Sequence, residues 1–346
     1  MEKKINRLWI SNLRVMATIA VIFLHVSAPL FTKYGELPIY IWNYANFFDS
    51  VSRFSVPVFV MISGALMFDS KMQTFIFLKK RFVRICLPFI FWSICYVLYI
   101  VFIQTNDYQK MSLFEILKKI VRSLYFGSAY HLWYIYMLFG LLLIVPILNS
   151  WITRASKKEI HYFLFLWFLT LFFKNLGLEN YKTNIELYYF TGFVGYLVLG
   201  YYLSTMTIQR DIPIKKISLV FLISGTLTTF LGTYWLSIKS NKPDSMLYDF
   251  FSFNVMFTAV GIFLFFRISN YYNNKSNLFF NEVNRFSYGI YLIHVLILWT
   301  LDSFGVNASL IHPLFGIPVT SFLCLIISLV IIKIINKNKI GAYISG

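Results

Sequence analysis

Two ionisable residues, Arg14 and His25, stand inside the first apolar stretch of the chain, Trp9 to Phe31. On an α-helix a separation of eleven residues is about three turns, about 16.5 Å along the axis and about 20° off alignment, so both side chains share one face. Charged groups in a transmembrane helix turn from lipid toward the bundle interior or a water-filled cavity, and that face reads as the wall of a site. Imidazole titrates near neutral pH and takes a proton from a hydroxyl in a transition state, which suits His25 to proton transfer. A guanidinium presents fixed bidentate donors to phosphate oxygens, which suits Arg14 to a phosphate. An interhelical hydrogen bond or snorkelling is the alternative for each.

Further candidates lie along the chain. Lys79-Lys80-Arg81-Phe82-Val83-Arg84 sets Arg81 and Arg84 one turn apart, where they form either a two-pronged phosphate clamp or a topological signal before an apolar run. Arg53, in Ser52-Arg53-Phe54-Ser55-Val56-Pro57, either grips anionic groups of a substrate or pairs with Asp49 one turn earlier. His131-Leu132-Trp133-Tyr134 opens a helix where an aromatic interfacial belt is the default, yet a His with aromatic faces also suits a sugar. Tyr288, Tyr291 and His294 follow at three-residue spacing on one side of a later helix, lining a cavity or packing. His161 and His312 stand at helix ends and read as interfacial.

These residues need helices in a bilayer to hold them. The chain is 58% hydrophobic and 20% aromatic with 13% charged residues, which is the composition of an integral membrane protein. Its 346 residues accommodate about ten helices of roughly 20 residues and no folded domain outside the membrane. The fold class expected is therefore all-α, one membrane domain of about ten transmembrane helices over 1–346. Apolar runs place them near Trp9 to Phe31, Phe47 to Phe68, Phe82 to Gln104, His131 to Trp151, His161 to Phe173, Leu187 to Ser204, Ile217 to Ile238, Phe250 to Ile268, Phe286 to Leu301 and Pro313 to Ile335. With a cytoplasmic N-terminus, twenty of the 31 Lys and Arg fall on the cytoplasmic side and nine opposite, an asymmetry that puts both termini inside. The external stretch Thr105 to Tyr130 contains Phe114 to Val121, patterned as an amphipathic interfacial helix.

Other function classes fall away. The net charge of +17 is scattered through loops without a recognition motif, so no nucleic acid is expected. The three cysteines, Cys86, Cys95 and Cys324, lie in or beside apolar segments without metal-ligand spacing, and no metal is required. The basic start before Trp9 imitates a signal peptide, but Arg14 and the lack of a small-residue cleavage site favour a retained first helix. No G-x-S-x-G, H-E-x-x-H, phosphate-binding or dinucleotide fingerprint occurs in a workable context. Paired intramembrane carboxylates are missing as well, which weakens an ion-driven transporter.

The sequence resembles the membrane acyltransferases of the acyltransferase-3 family over nearly its whole length. Asn12-Leu13-Arg14 followed after ten residues by His25 is similar to the family's Arg-x10-His signature, and Arg81-Phe82-Val83-Arg84 to its R-x-x-R signature. The segments Ser52 to Gly64, His131-Leu132-Trp133 and Phe286 to His294 resemble further family segments in the same order. Within the family the chain looks most like stand-alone bacterial surface-polysaccharide O-acetyltransferases, of the type that acts on enterobacterial common antigen. The resemblance implies a multi-pass enzyme of the bacterial cytoplasmic membrane. Its donor would be cytoplasmic acetyl-CoA or another acyl-CoA, with no permanently bound cofactor. Its acceptor would be a sugar hydroxyl of a lipid-linked or extracytoplasmic glycan. It implies His25 as the catalytic residue and Arg14, Arg81 and Arg84 on the acyl-CoA side. Arg53, His131, Trp133, Tyr288, Tyr291 and His294 are then left for the acceptor. The chain departs from larger members by ending soon after Ile335, without a C-terminal periplasmic domain. A homo-oligomer stays open. The competing reading is an exporter or flippase of polysaccharide or lipid-linked sugar, and a packing subunit would leave the Arg14 and His25 alignment without a use.

Overall fold

The computed structural model describes residues 8–69, 72–105, 111–175, 187–208, 212–269 and 277–346, and all its named elements are helical. Lys3, Lys4, Arg7, Lys71, Lys110, Lys182, Arg210 and Lys275 of the charge tally lie outside these residues. Helix α1 (Leu8–Phe31) carries Arg14 and His25, and the bundle is built around it. It contacts α2 (Ile39–Ser52), α3 (Ser55–Met67), α10 (Phe253–Ser269), α11 (Leu278–Arg285), α12 (Ser287–Ser303) and α13 (Pro313–Ile335).

The remaining helices are α4 (Thr74–Tyr99), α5 (Leu113–Phe126), α6 (Trp133–Ile152), α7 (Lys157–Asn175), α8 (Phe193–Thr205), α9 (Ile214–Ser240) and α14 (Lys339–Ile344). Seven stretches among the described residues are long and apolar enough to cross a membrane, and α11 with α12 adds an eighth bent by 80°. The ten spans expected from apolar runs are therefore not all reached by length and apolarity. Helix α7 opens on Lys157, Lys158 and Glu159, and α8 has 13 residues, about 20 Å against the roughly 30 Å of a hydrocarbon core. The run expected as one helix from Leu187 is split at Gly192, whose φ of 83° lies in the left-handed region that glycine tolerates.

Two other boundaries differ in ways that matter for the site. The expected second helix is two helices, broken at Arg53 and Phe54, because Pro57 has no N–H for the Arg53 carbonyl and its ring would collide with it. The third begins at Thr74 and not at Phe82, so Arg81 lies inside α4 as Arg84 does. By contrast α13 begins and ends at Pro313 and Ile335, as its 23-residue apolar run predicts.

Along α9 and α13 large apolar side chains face outward and small polar ones inward. Val220, Leu227, Leu231 and Trp235 are exposed while Ser218, Gly225, Thr229 and Thr233 are buried; Val319, Ile326 and Val330 are exposed while Thr320, Ser321 and Ser328 are buried. A protein in water would show the reverse, and helices packed in lipid meet through small residues. Helices α3 and α8 meet in this way. A Cβ on Gly64 would strike the Leu197 carbonyl, and one on Gly200 would strike the Met61 backbone. Gly200→Leu is expected to push the two helices apart at a cost of about 1–3 kcal/mol, read as a lower thermal midpoint in detergent.

The expected amphipathic segment is α5, held at its start by a capping box between Ser112 and Glu115. The Ser112 N–H and hydroxyl hold the Glu115 carboxylate below its usual range. No residue of α5 is buried, and Leu113, Phe114, Leu117, Val121 and Tyr125 are exposed.

Candidate active site

Three histidines far apart in sequence meet at one end of the bundle. His25 comes from α1, His131 from the single 3-10 turn Tyr130–Leu132 ahead of α6, and His294 from the middle of α12. Ring centroids are 5.2 Å apart for His25 and His294, 4.9 Å for His131 and His294, and 6.1 Å for His25 and His131. His131 and His294 are buried, whereas His25 is half-buried and borders a cavity of about 430 Å³. Tyr130, Trp299, Asp302, Asn307, Thr320 and Lys33 also line it, a mixture of aromatic faces and polar groups. A second cavity of about 650 Å³ lies beside the C-terminal end of α5 and is lined by Tyr125, Gly127, Trp133 and Gln104. The two cavities share Tyr130 and Trp299.

Side chains around α12 fix the cluster. His294 Nδ1 lies 2.6 Å from the Tyr291 carbonyl oxygen, and the Tyr291 hydroxyl donates to the His131 carbonyl. The Cys324 thiol donates to the His294 carbonyl at 3.3 Å. Tyr96, on α4, bridges α12's own backbone: its hydroxyl accepts from the Leu296 N–H at 3.0 Å and donates to the Leu292 carbonyl at 2.9 Å. Its ring also lies 5.4 Å from His131. Sequence reasoning missed Tyr96, because a Tyr in an apolar helix looks like any other packed aromatic. Tyr96→Phe would remove both bonds that tie α4 to the α12 backbone and is expected to cost about 1–2 kcal/mol, measurable as a lower unfolding midpoint of the purified protein.

The other end of the same α1 face is cationic. Arg14 Nη1 donates to Asn284 Oδ1 at 3.0 Å, and Asn284 is a second residue that sequence spacing does not single out. Arg14 and Arg81 border one cavity of about 140 Å³ together with Ser63 and Tyr134. Arg84 instead borders a cavity of about 720 Å³ with Lys79, Lys80, Phe75 and Tyr343. The two arginines of the R-x-x-R segment thus face different cavities, since residues three apart on a helix are offset by about 60°. The guanidinium groups of Arg14, Arg81 and Arg84 repel one another, and none of them forms an ion pair with a carboxylate among the described residues. Such a cluster is a ready site for an anion.

Between the two ends run tyrosines. Tyr134, at the arginine cavity, has its ring 5.4 Å from that of Tyr291, which lies 5.5 Å from His131 and 5.7 Å from His294. A face of α1 therefore carries a cationic pocket at one end and a histidine cluster at the other, with aromatic hydroxyl-bearing rings in between.

The other candidates take different places. Arg53 pairs with the fully buried Asp49 at 2.6 Å and lies 4.0 Å over the ring of Tyr248. Trp133 packs on Phe250 at 5.7 Å and lines the second cavity. Tyr288 donates to the Ile85 carbonyl at 2.9 Å, toward the arginine end. His161 meets the Tyr202 hydroxyl at 2.8 Å, and His312 accepts from the Leu314 N–H as the cap of α13. The three cysteines are free, and no three His, Cys, Asp or Glu among the described residues are placed to hold a metal ion.

Over residues 7–334 the chain matches the family profile described as an acyltransferase domain. No curated protein and no solved structure matches it.

Proposed function

The chain belongs to the acyltransferase-3 family of membrane acyltransferases, and on that premise we propose that it moves an acetyl or other short acyl group from cytoplasmic acyl-CoA to a sugar hydroxyl of a lipid-linked or extracytoplasmic glycan. The observation that carries this reading is the two-ended face of α1, with an arginine cluster that has no carboxylate partner among the described residues at one end and a histidine lining a cavity with polar and aromatic groups at the other. Arg14 and Arg81, with Arg84 beside them, hold the phosphates of CoA through charge-assisted hydrogen bonds. The pantetheine arm runs past Tyr134 and Tyr291 and delivers the thioester beside His25. His25 takes the proton of the acceptor hydroxyl as its oxygen attacks the thioester carbonyl. The new C–O bond forms, the C–S bond breaks, and the departing thiolate takes the proton from His25. A transient acyl-imidazole on His25 gives the same products in two steps. Aromatic and polar groups at the mouth, Tyr130, Trp299, Asn307 and Asp302, suit a sugar.

The seven stretches and the bent pair make eight crossings, and ten if the shorter α7 and α8 cross as a pair; the number is even in either case. An even number returns both termini to one side, the bias of Lys and Arg makes that side the cytoplasm, and the family resemblance makes the membrane a bacterial inner one. The reading is tested by supplying membranes that contain the protein with acyl-CoA and candidate glycans. Free CoA thiol is expected in a one-to-one ratio with glycan ester. Movement of glycan across the bilayer without CoA release would replace the enzyme by an exporter.

A further inference from the structure

The histidine behind His25 has its tautomer fixed by the fold. His294 is fully buried, and its Nδ1 lies 2.6 Å from a carbonyl oxygen, that of Tyr291. A carbonyl can only accept, so Nδ1 carries the proton, and in the neutral ring Nε2 is then a bare lone pair. That Nε2 has no hydrogen-bond partner among the described residues. Buried polar groups are nearly always satisfied, and an isolated acceptor costs about 1–3 kcal/mol. The ring is also held in place from its own backbone. Cys324 binds the His294 carbonyl, and the Tyr96 hydroxyl bridges Leu292 and Leu296 on either side of it. A fixed, unsatisfied acceptor thus stands with its ring centroid 5.2 Å from that of His25, so that a turn of the His25 ring or one intervening water brings an imidazole N–H to it.

We propose that His294 is a positioning residue whose Nε2 accepts the N–H of His25, leaving the lone pair of the other His25 nitrogen toward the acceptor cavity. The proposal rests on the acyl-transfer reading of His25 given above. In the reaction no proton leaves His294. His25 gains the hydroxyl proton, the imidazolium so formed donates more strongly to His294 Nε2, and His25 returns the gained proton to the thiolate. The ring centroid of His131 stands 4.9 Å from that of His294, so it is the competing donor that the experiment must separate.

Two substitutions divide the ring into its halves. His294→Asn keeps an N–H for the Tyr291 carbonyl and places nothing at Nε2. His294→Gln places an amide oxygen near Nε2. Acyl transfer in membranes is expected to fall about 10²-fold in kcat for Asn with both KM values unchanged, and to stay within about tenfold of wild type for Gln. A second readout does not depend on turnover: the rate at which diethyl pyrocarbonate modifies His25, followed by mass spectrometry. It is expected to be several-fold slower in His294→Asn than in wild type and near wild type in His294→Gln. Wild-type activity and an unchanged modification rate in His294→Asn would overturn the proposal and reduce His294 to an anchor for α12. A slowed modification of His131 with His25 unaffected would overturn it in favour of the competing donor. If wild type transfers no acyl group yet the modification pattern holds, the positioning of His25 stands and the acyl-transfer reading fails.

Discussion

His25→Ala is expected to lower acyl transfer about 10²- to 10⁴-fold in kcat, the range lost with a positioned general base, while the protein inserts and folds as before. The argument for the size of the effect is chemical: a sugar hydroxyl attacks a thioester slowly unless its proton is removed as the bond forms. His25 is the one member of the histidine cluster that borders the cavity of about 430 Å³, since His131 and His294 are buried behind it. The argument for a folded variant is geometric. The imidazole already faces an open space of about 430 Å³, so truncation widens an existing cavity and opens no void in a packed core. Abundance in membranes and the thermal midpoint in detergent, measured beside activity, separate loss of chemistry from loss of fold.

The second large effect is expected at the opposite end of α1. Arg81→Ala should raise the KM for acyl-CoA about 10- to 100-fold, equivalent to the roughly 1.5–3 kcal/mol of a hydrogen bond to a charged group, and leave kcat within a few-fold. Arg81→Lys should recover only part of it, because an ammonium lacks the fork that meets two phosphate oxygens. Arg84→Ala should do less, since Lys79 and Lys80 remain beside the outer cavity that Arg84 borders. Removing Arg81 also relieves repulsion with Arg14 and Arg84, so the unliganded variant should be at least as stable as wild type. A kcat loss with unchanged KM would assign the cluster to something other than donor binding.

How much of this could be read from the sequence depends on whether a feature is local. Long apolar runs with clear ends are local, which is why α13 matches its run and α1 differs by one residue from Trp9 to Phe31. The shared face of Arg14 and His25 is also local, since it follows from the period of one helix. The breaks were harder. Pro57 signals the stop at Arg53, but nothing in Phe286 announces the 80° turn between α11 and α12, both of which pack on α1. The ends of α7 and α8 reflect charge and a glycine that a search for apolar runs passes over.

The site divides in the same way. His131 and His294 could be singled out by residue type and depth, but their meeting with His25 is made by the packing of three different helices. Arg81 and Arg84 looked like one clamp because i and i+3 are neighbours. In the structure their 60° offset suffices to turn them toward separate cavities. Tyr96 and Asn284 left no sequence signal, since each acts on a group distant in the chain.

The account stands on one claim, that the two ends of α1 serve two sides of a membrane. Sealed vesicles of known orientation, loaded with acceptor glycan on the side of His25 and given labelled acetyl-CoA only on the side of Arg14, test it most directly. The account predicts labelled ester on the enclosed glycan with wild type and none with His25→Ala. Label that appears only when donor and acceptor share a side, or that appears equally with His25→Ala, would contradict it.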